Sequence, residues 1–152
     1  MTASVSSPTG LIAPHGGSLV DLMVPAEQRE AVRAGVDRVI ACSDRNACDV
    51  ELLVVGGFSP LRGFMHQEDY DAVVAGYRTT SGLLFGLPIV FDTDDADIAV
   101  GERLLLTYQG QELAVLTVES RWEPDKVKEA KGCYGTTSLE HPAVRMIATE
   151  RG

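Results

Sequence analysis

The residues of this chain best suited to chemistry are carboxylates and imidazoles, so their spacing is the first test of what it could do. Asp92, Asp94, Asp95 and Asp97 crowd one short stretch and offer the hard oxygen ligands that calcium prefers. An EF-hand loop also needs glycine at its sixth position and glutamate at its twelfth, and "DTDDADIAVGER" has neither. A solvated loop between strands is the expected role, and no metal site is assigned. His15, His66 and His141 stand alone in sequence, with no HxxH or HExxH pairing; ligation or general-base work would require them to converge in space. Turn or capping roles are expected instead. No GxSxG elbow, no GxGxxG after a strand and no GxxxxGK[ST] phosphate loop occurs, so the common nucleophile and phosphate devices are missing. The exposed amides of "PHGG" could hold an anion, but a bare turn is the expected reading.

Cys42, Cys48 and Cys133 form no CxxC pair and are odd in number, which fits reduced thiols better than a disulfide framework or a zinc motif. Arg121, Lys126, Lys128 and Lys131 could form a small basic strip, but Asp125 and Glu129 are interleaved with them and a solvated face is expected. Trp122, the only tryptophan, is expected to pack at the end of a strand. The stretch "GGFSPLRGFM", Gly56 to Met65, is different. Phe58, Leu61, Phe64 and Met65 are costly to expose, while Gly57, Pro60 and Gly63 give an irregular backbone. Burying those four side chains would contribute about 1.5 to 3 kcal/mol each. Left uncovered, they would form a sticky patch with Ser59 and Arg62 as its polar contacts, the guanidinium being suited to bidentate bonding to a carboxylate or an anion. Phe58, Ser59, Pro60, Leu61, Arg62 and Phe64 are therefore the candidate docking residues, and no catalytic residue is assigned.

These residues must be positioned by a chain of 152 residues with 45% hydrophobic and 23% charged content, values ordinary for one globular domain. No apolar run approaches the roughly 20 residues of a membrane span. The N-terminus has neither a basic region nor an apolar core of a signal peptide, and a cytoplasmic protein is expected. The net charge of −9 disfavours a polyanionic partner such as nucleic acid.

Residues 1–10 read as a flexible leader and 11–150 as the domain. "LIAPHGGSLVDLMV" suggests two extended pieces around a turn. Pro25 is placed to open a helix in which Val32, Val36, Val39 and Ile40 share a face, with Gly35 weakening its middle. Ser43 and Asp44 can cap a helix ended by Gly56 and Gly57, and Tyr70, Val73, Val74 and Tyr77 have the spacing of a second amphipathic helix. From Leu83 onward the pattern turns to strands: "LPIVFD", "RLLLTY" and "ELAVLTVESRW", the last two separated by Gln109-Gly110 as in a hairpin. "PDKVKEAKG" predicts a short charged helix, and no closing element is evident in the tail. Helices first and strands afterwards predict an α+β domain, a small antiparallel or barrel-like sheet with helices at one end.

Four segments together resemble the N-terminal domain of sulfate adenylyltransferase (ATP sulfurylase): "PHGGSLVDL", "CDVELLVVGGFSPLRGFMHQEDY", "LPIVFD" and "YGTTSLEHPAV". They run in the family's order and span almost the whole chain from Leu11. The resemblance implies a PUA-like pseudo-barrel of mostly antiparallel strands with flanking helices. It also implies a place in sulfate assimilation, ahead of a catalytic nucleotidyltransferase domain that joins ATP and sulfate into adenosine 5′-phosphosulfate and pyrophosphate. That domain's signatures, a Gln-x-Arg-Asn-Pro segment, a His-x-x-His pair and a Gly-Arg-Asp loop, are missing here: Arg45-Asn46 is followed by Ala47, and Val144 stands three residues after His141. ATP and sulfate would bind the absent catalytic domain, and no cofactor is expected in this chain. "HPAV" replaces the usual His-Pro-Gly-Val, and "SGLLFGLPI" a more polar turn.

The leading expectation is a non-catalytic, truncated portion of a sulfate adenylyltransferase whose partner is the catalytic domain or another subunit. The competing one is a free-standing PUA-like module that binds a protein, a small molecule or RNA.

Overall fold

A computed structural model describes residues 10–149; the N-terminal leader expected from the sequence lies almost wholly outside them. The described chain opens with a 3-10 turn at His15–Gly17 between extended pieces, as expected. A second 3-10 turn, Ala26–Gln28, runs into α1, Arg29–Arg33. Strand β1 is Arg38–Ala41. Helices α2, Asp44–Val54, and α3, Gln67–Gly76, flank the glycine-rich loop. Strands β2, Arg103–Tyr108, and β3, Gln111–Thr117, form the hairpin, and α4, Lys126–Tyr134, and α5, Pro142–Thr149, close the described chain.

The sheet has the order β1-β2-β3. β2 pairs antiparallel with β3, with an irregularity after Leu106, while β1 pairs parallel with β2 from Arg38 opposite Leu104 to Ala41 opposite Thr107. An α+β architecture is therefore present, with one parallel pairing that the sequence pattern did not suggest. The hairpin turn is Gln109-Gly110, both at positive φ (49° and 80°), the conformation that matches strand twist in a two-residue turn.

Three expected elements take another form. The helix from Pro25 stops at Arg33, because Gly35 turns the chain at φ 68°, and the β-branched pair Val39 and Ile40 enters β1 where branched side chains pack well. "LPIVFD" forms no strand. Pro88 has no N–H to give a ladder, and Ile89 and Val90 are buried as part of an irregular core segment. The third strand ends at Thr117, five residues before Trp122. The tail, in contrast, folds into α5, which buries Val144 and Ile147; Pro142 at its first position was the available signal.

The core is in two parts. One gathers Leu53, Met65, Tyr70, Val73, Val74, Phe85, Ile89 and Val90; the other gathers Val50, Ile98, Leu104, Leu106 and Val118. α2 contributes Val50 to one and Leu53 to the other, which its i, i+3 spacing makes possible on a single face. Its start is fixed by Ser43, whose side chain accepts from the Asn46 N–H at 3.1 Å, as the sequence suggested.

α3 and α4 approach so closely that a Cβ on Gly132 would overlap the Val74 carbonyl oxygen. Alanine ordinarily stabilises a helix interior by about 1 kcal/mol over glycine, but here the overlap should cost more, about 1 to 3 kcal/mol. Gly132→Ala is therefore expected to lower the thermal unfolding midpoint; a raised midpoint would show that the helices can separate freely.

Candidate docking site at the Gly56–Met65 loop

Residues 56–65 lie between the end of α2 and the start of α3, and their backbone is pinned at several points. Ser59 is buried; its hydroxyl accepts from the Val20 N–H at 2.9 Å and donates to the Gly56 carbonyl at 2.6 Å. The first bond ties the loop to the N-terminal extended segment and the second closes the loop on itself; the N-terminal segment also bonds α2 through Leu22 N–H to the Val54 carbonyl at 2.9 Å. The Ser59-Pro60 bond is cis, and Pro60 packs over Gly16, where a Cβ would come within 2.6 Å of its ring. At the other end, the Met65 N–H donates to the Ile89 carbonyl at 2.8 Å and its side chain is buried.

The aromatic and aliphatic side chains turn inward. Phe58, Leu61 and Phe64 pack against the first core, and Phe64 also packs against the second, with its ring 5.5 Å from that of Phe91. Each stays partly exposed. Arg62 points outward, exposed and without a hydrogen bond or ion pair among the described residues. The loop is thus a connector between the two cores that keeps one guanidinium uncommitted.

The other candidates are held in structural contacts. Arg45 on α2 pairs with Asp92 and, at 3.1 Å, with Asp49. Arg38 on β1 holds Asp95 at 2.5 Å, a bond that keeps this carboxyl below the usual aspartate range. Two members of the aspartate run are therefore consumed by arginines, and no group of three or more potential metal ligands converges among the described residues. The histidines are far apart in role: His15 bonds the Leu84 carbonyl at 2.9 Å, His66 bridges Glu119 and Ser120 at 3.0 and 3.1 Å, and His141 lies against Tyr134. No disulfide joins Cys42, Cys48 and Cys133, and burial pushes the Cys42 thiol up, away from reactivity.

The basic run is a largely exposed face at Arg121, Lys128 and Lys131, as expected, with Glu129 its buried exception. Arg121 donates to the Ala96 and Ile98 carbonyls, Lys128 pairs with Asp71 at 3.1 Å, Asp125 caps α4, and Glu129 is buried, accepting from the Tyr70 hydroxyl at 2.8 Å. A charged run hid a core carboxylate because its partner is 59 residues away in sequence. Trp122 packs against Tyr70 with ring centres 4.5 Å apart.

Sequence comparison gives this arrangement its family. A family model described as a PUA-like domain matches residues 12–152. The chain belongs to the PUA-like domain family. It is 41% identical over 144 residues to a sulfate adenylyltransferase of Phaeosphaeria nodorum, covering 88% of this chain and 25% of that protein. The Chaetomium globosum sulfate adenylyltransferase is 43% identical over 145 residues, covering 89% and 25%. A solved structure described as a hexameric APS kinase from Thiobacillus denitrificans matches with a TM-score of 0.67 and 35% identity, over 76% of this chain and 24% of that one. The chain spans about a quarter of the length of these proteins, and it corresponds to the N-terminal PUA-like domain of the sulfate adenylyltransferases.

Removing the Ser59 hydroxyl would leave the buried Val20 N–H unpaired, a loss of about 1 to 3 kcal/mol. Ser59→Ala is expected to lower the denaturant midpoint accordingly, while Arg62→Ala leaves it unchanged. Equal effects at both positions would contradict the division of the loop into a pinned half and a free guanidinium.

Proposed function

We propose that this chain serves as the N-terminal, non-catalytic domain of a cytoplasmic sulfate adenylyltransferase, in which a separate catalytic domain binds ATP and sulfate and forms adenosine 5′-phosphosulfate and pyrophosphate. The observation that carries this reading is the match of nearly 90% of this chain to only a quarter of those enzymes. Chemistry at an α-phosphate needs groups that stabilise developing negative charge. Among the described residues most arginines are engaged with carboxylates or carbonyls of this same chain. Cysteines joined by no disulfide fit a reducing compartment, and no helix of the described residues is long and apolar enough to cross a membrane.

In this reading the exposed parts of Phe58, Pro60, Leu61, Arg62 and Phe64 meet the catalytic domain or another subunit, while Ser59 keeps the loop in shape from beneath. The domain's contribution is to fix position: a catalytic domain held in one orientation avoids losing rate to misplacement.

The test is a chimaera in which the matching quarter of the Phaeosphaeria nodorum enzyme is replaced by residues 12–152. The chimaera is expected to release pyrophosphate from ATP in a sulfate-dependent way, within about tenfold of the parent, and the isolated chain is expected to release none. Sulfate-dependent release by the isolated chain, or a folded chimaera without activity, would overturn the reading.

A further inference from the structure

β3 is an edge strand. β2 occupies one of its sides, and the other side makes no ladder among the described residues. Native edges are blunted by charge, proline, bulges or a covering element, because an open edge invites another strand. β3 reads "QELAVLT", with one charge, no proline and a single bulge at Leu113 near its start, and its four central residues, Leu113 to Leu116, are only half-buried. Its far side has been left open.

What lies along that side is a trough. A groove of about 390 Å³ follows Glu112 to Leu116, and a second of about 1080 Å³ follows Val115 to Pro124. They meet at Arg62, Gly63, Phe64, Val115 and Leu116, which line both. β3 thus forms one wall and the glycine-rich loop the other. A Cβ built on Gly63 meets nothing within 4 Å, so space is open at the meeting point. At about 3.3 Å per residue, β3 alone gives the trough a length of about 20 Å, far longer than a small metabolite and suited to an extended chain.

Charge narrows the occupant further. Arg62, at the meeting point, has no partner among the described residues. In the first groove Arg29 donates to the Val24 carbonyl among the described residues, and Arg33 donates to the Val36 carbonyl and shares an exposed pair with Glu112. Three guanidiniums therefore face one carboxylate there. The second groove sets Asp69, Asp92, Asp94, Glu119 and Glu123 against Arg62, Arg121 and Lys126, which with the net charge of −9 disfavours a nucleic-acid backbone and confines an occupant's carboxylate to the Arg62 end.

We infer that the trough takes an extended polypeptide segment that adds to the open side of β3, with alternate apolar side chains in the grooves and a carboxylate on Arg62. Main-chain bonding supplies affinity in such strand addition, and the pockets and the guanidinium supply selectivity. Only the source of the segment, the catalytic domain, rests on the function proposed above.

The probe is a short blocked peptide alternating valine and threonine with a single glutamate, with the same peptide carrying a lysine in place of the glutamate as its control, followed by amide NMR of the chain. The acidic peptide is expected to shift alternate amides of 111–117 together with those of 62–64. Gly63→Leu, which fills the open space, and Arg62→Glu are each expected to weaken binding about tenfold or more at unchanged unfolding midpoints. No shift in β3 at millimolar peptide, equal binding of the lysine peptide, or an unaffected Gly63→Leu overturns the inference. In the chimaera the trough should already be filled, so the peptide is expected not to bind. Binding to an active chimaera overturns the catalytic domain as source. An inactive chimaera beside a free chain that binds the peptide overturns the functional reading and leaves the trough standing.

Discussion

Phe64 occupies the position on which the remaining packing depends. It is the loop side chain that touches both cores, one built on α3 and the irregular segment through Ile89 and the other on the sheet. α2 contributes to both as well, through Val50 and Leu53, but a helix face alone would let the loop beyond it swing. The loop is fixed because Ser59 bonds it to Val20 and Gly56 at one end and Met65 is buried at the other. Placing an aromatic ring between those anchors couples the two cores, with a burial term of about 1.5 to 3 kcal/mol reduced by its partial exposure.

That constraint also explains why the loop can present a surface. A segment whose apolar side chains are committed inward holds its outward groups, Arg62 above all, in one place without further support. Docking groups of this kind lose little freedom on binding, which favours affinity without a large contact area.

Much of this was legible in the sequence where a local rule had no competitor. The Ser43 cap, the Gln109-Gly110 hairpin, the α3 periodicity and the apolar character of residues 58–65 are all decided within a few residues. The failures came where distant partners decided. Val39 and Ile40 have helical spacing with Val32 and Val36, yet Gly35 breaks the run and β2, more than 60 residues later, offers a parallel partner. Ile89 and Val90 look like a strand but are held by the core rather than a ladder. Glu129 looks solvated until α3 brings Tyr70 to it. The apolar side chains and the arginine of the loop were identifiable by type, but not that β3 and the loop line one continuous trough, because the loop and the strand are about fifty residues apart.

The measurement that bears most directly on this account is native-state hydrogen exchange in Phe64→Ala, following amides of α3 and of β2 separately. If Phe64 couples the cores, both sets should lose protection together, by a common factor of about ten or more. Loss in one set with the other unchanged would mean that the two cores are independent and that Phe64 belongs to only one of them.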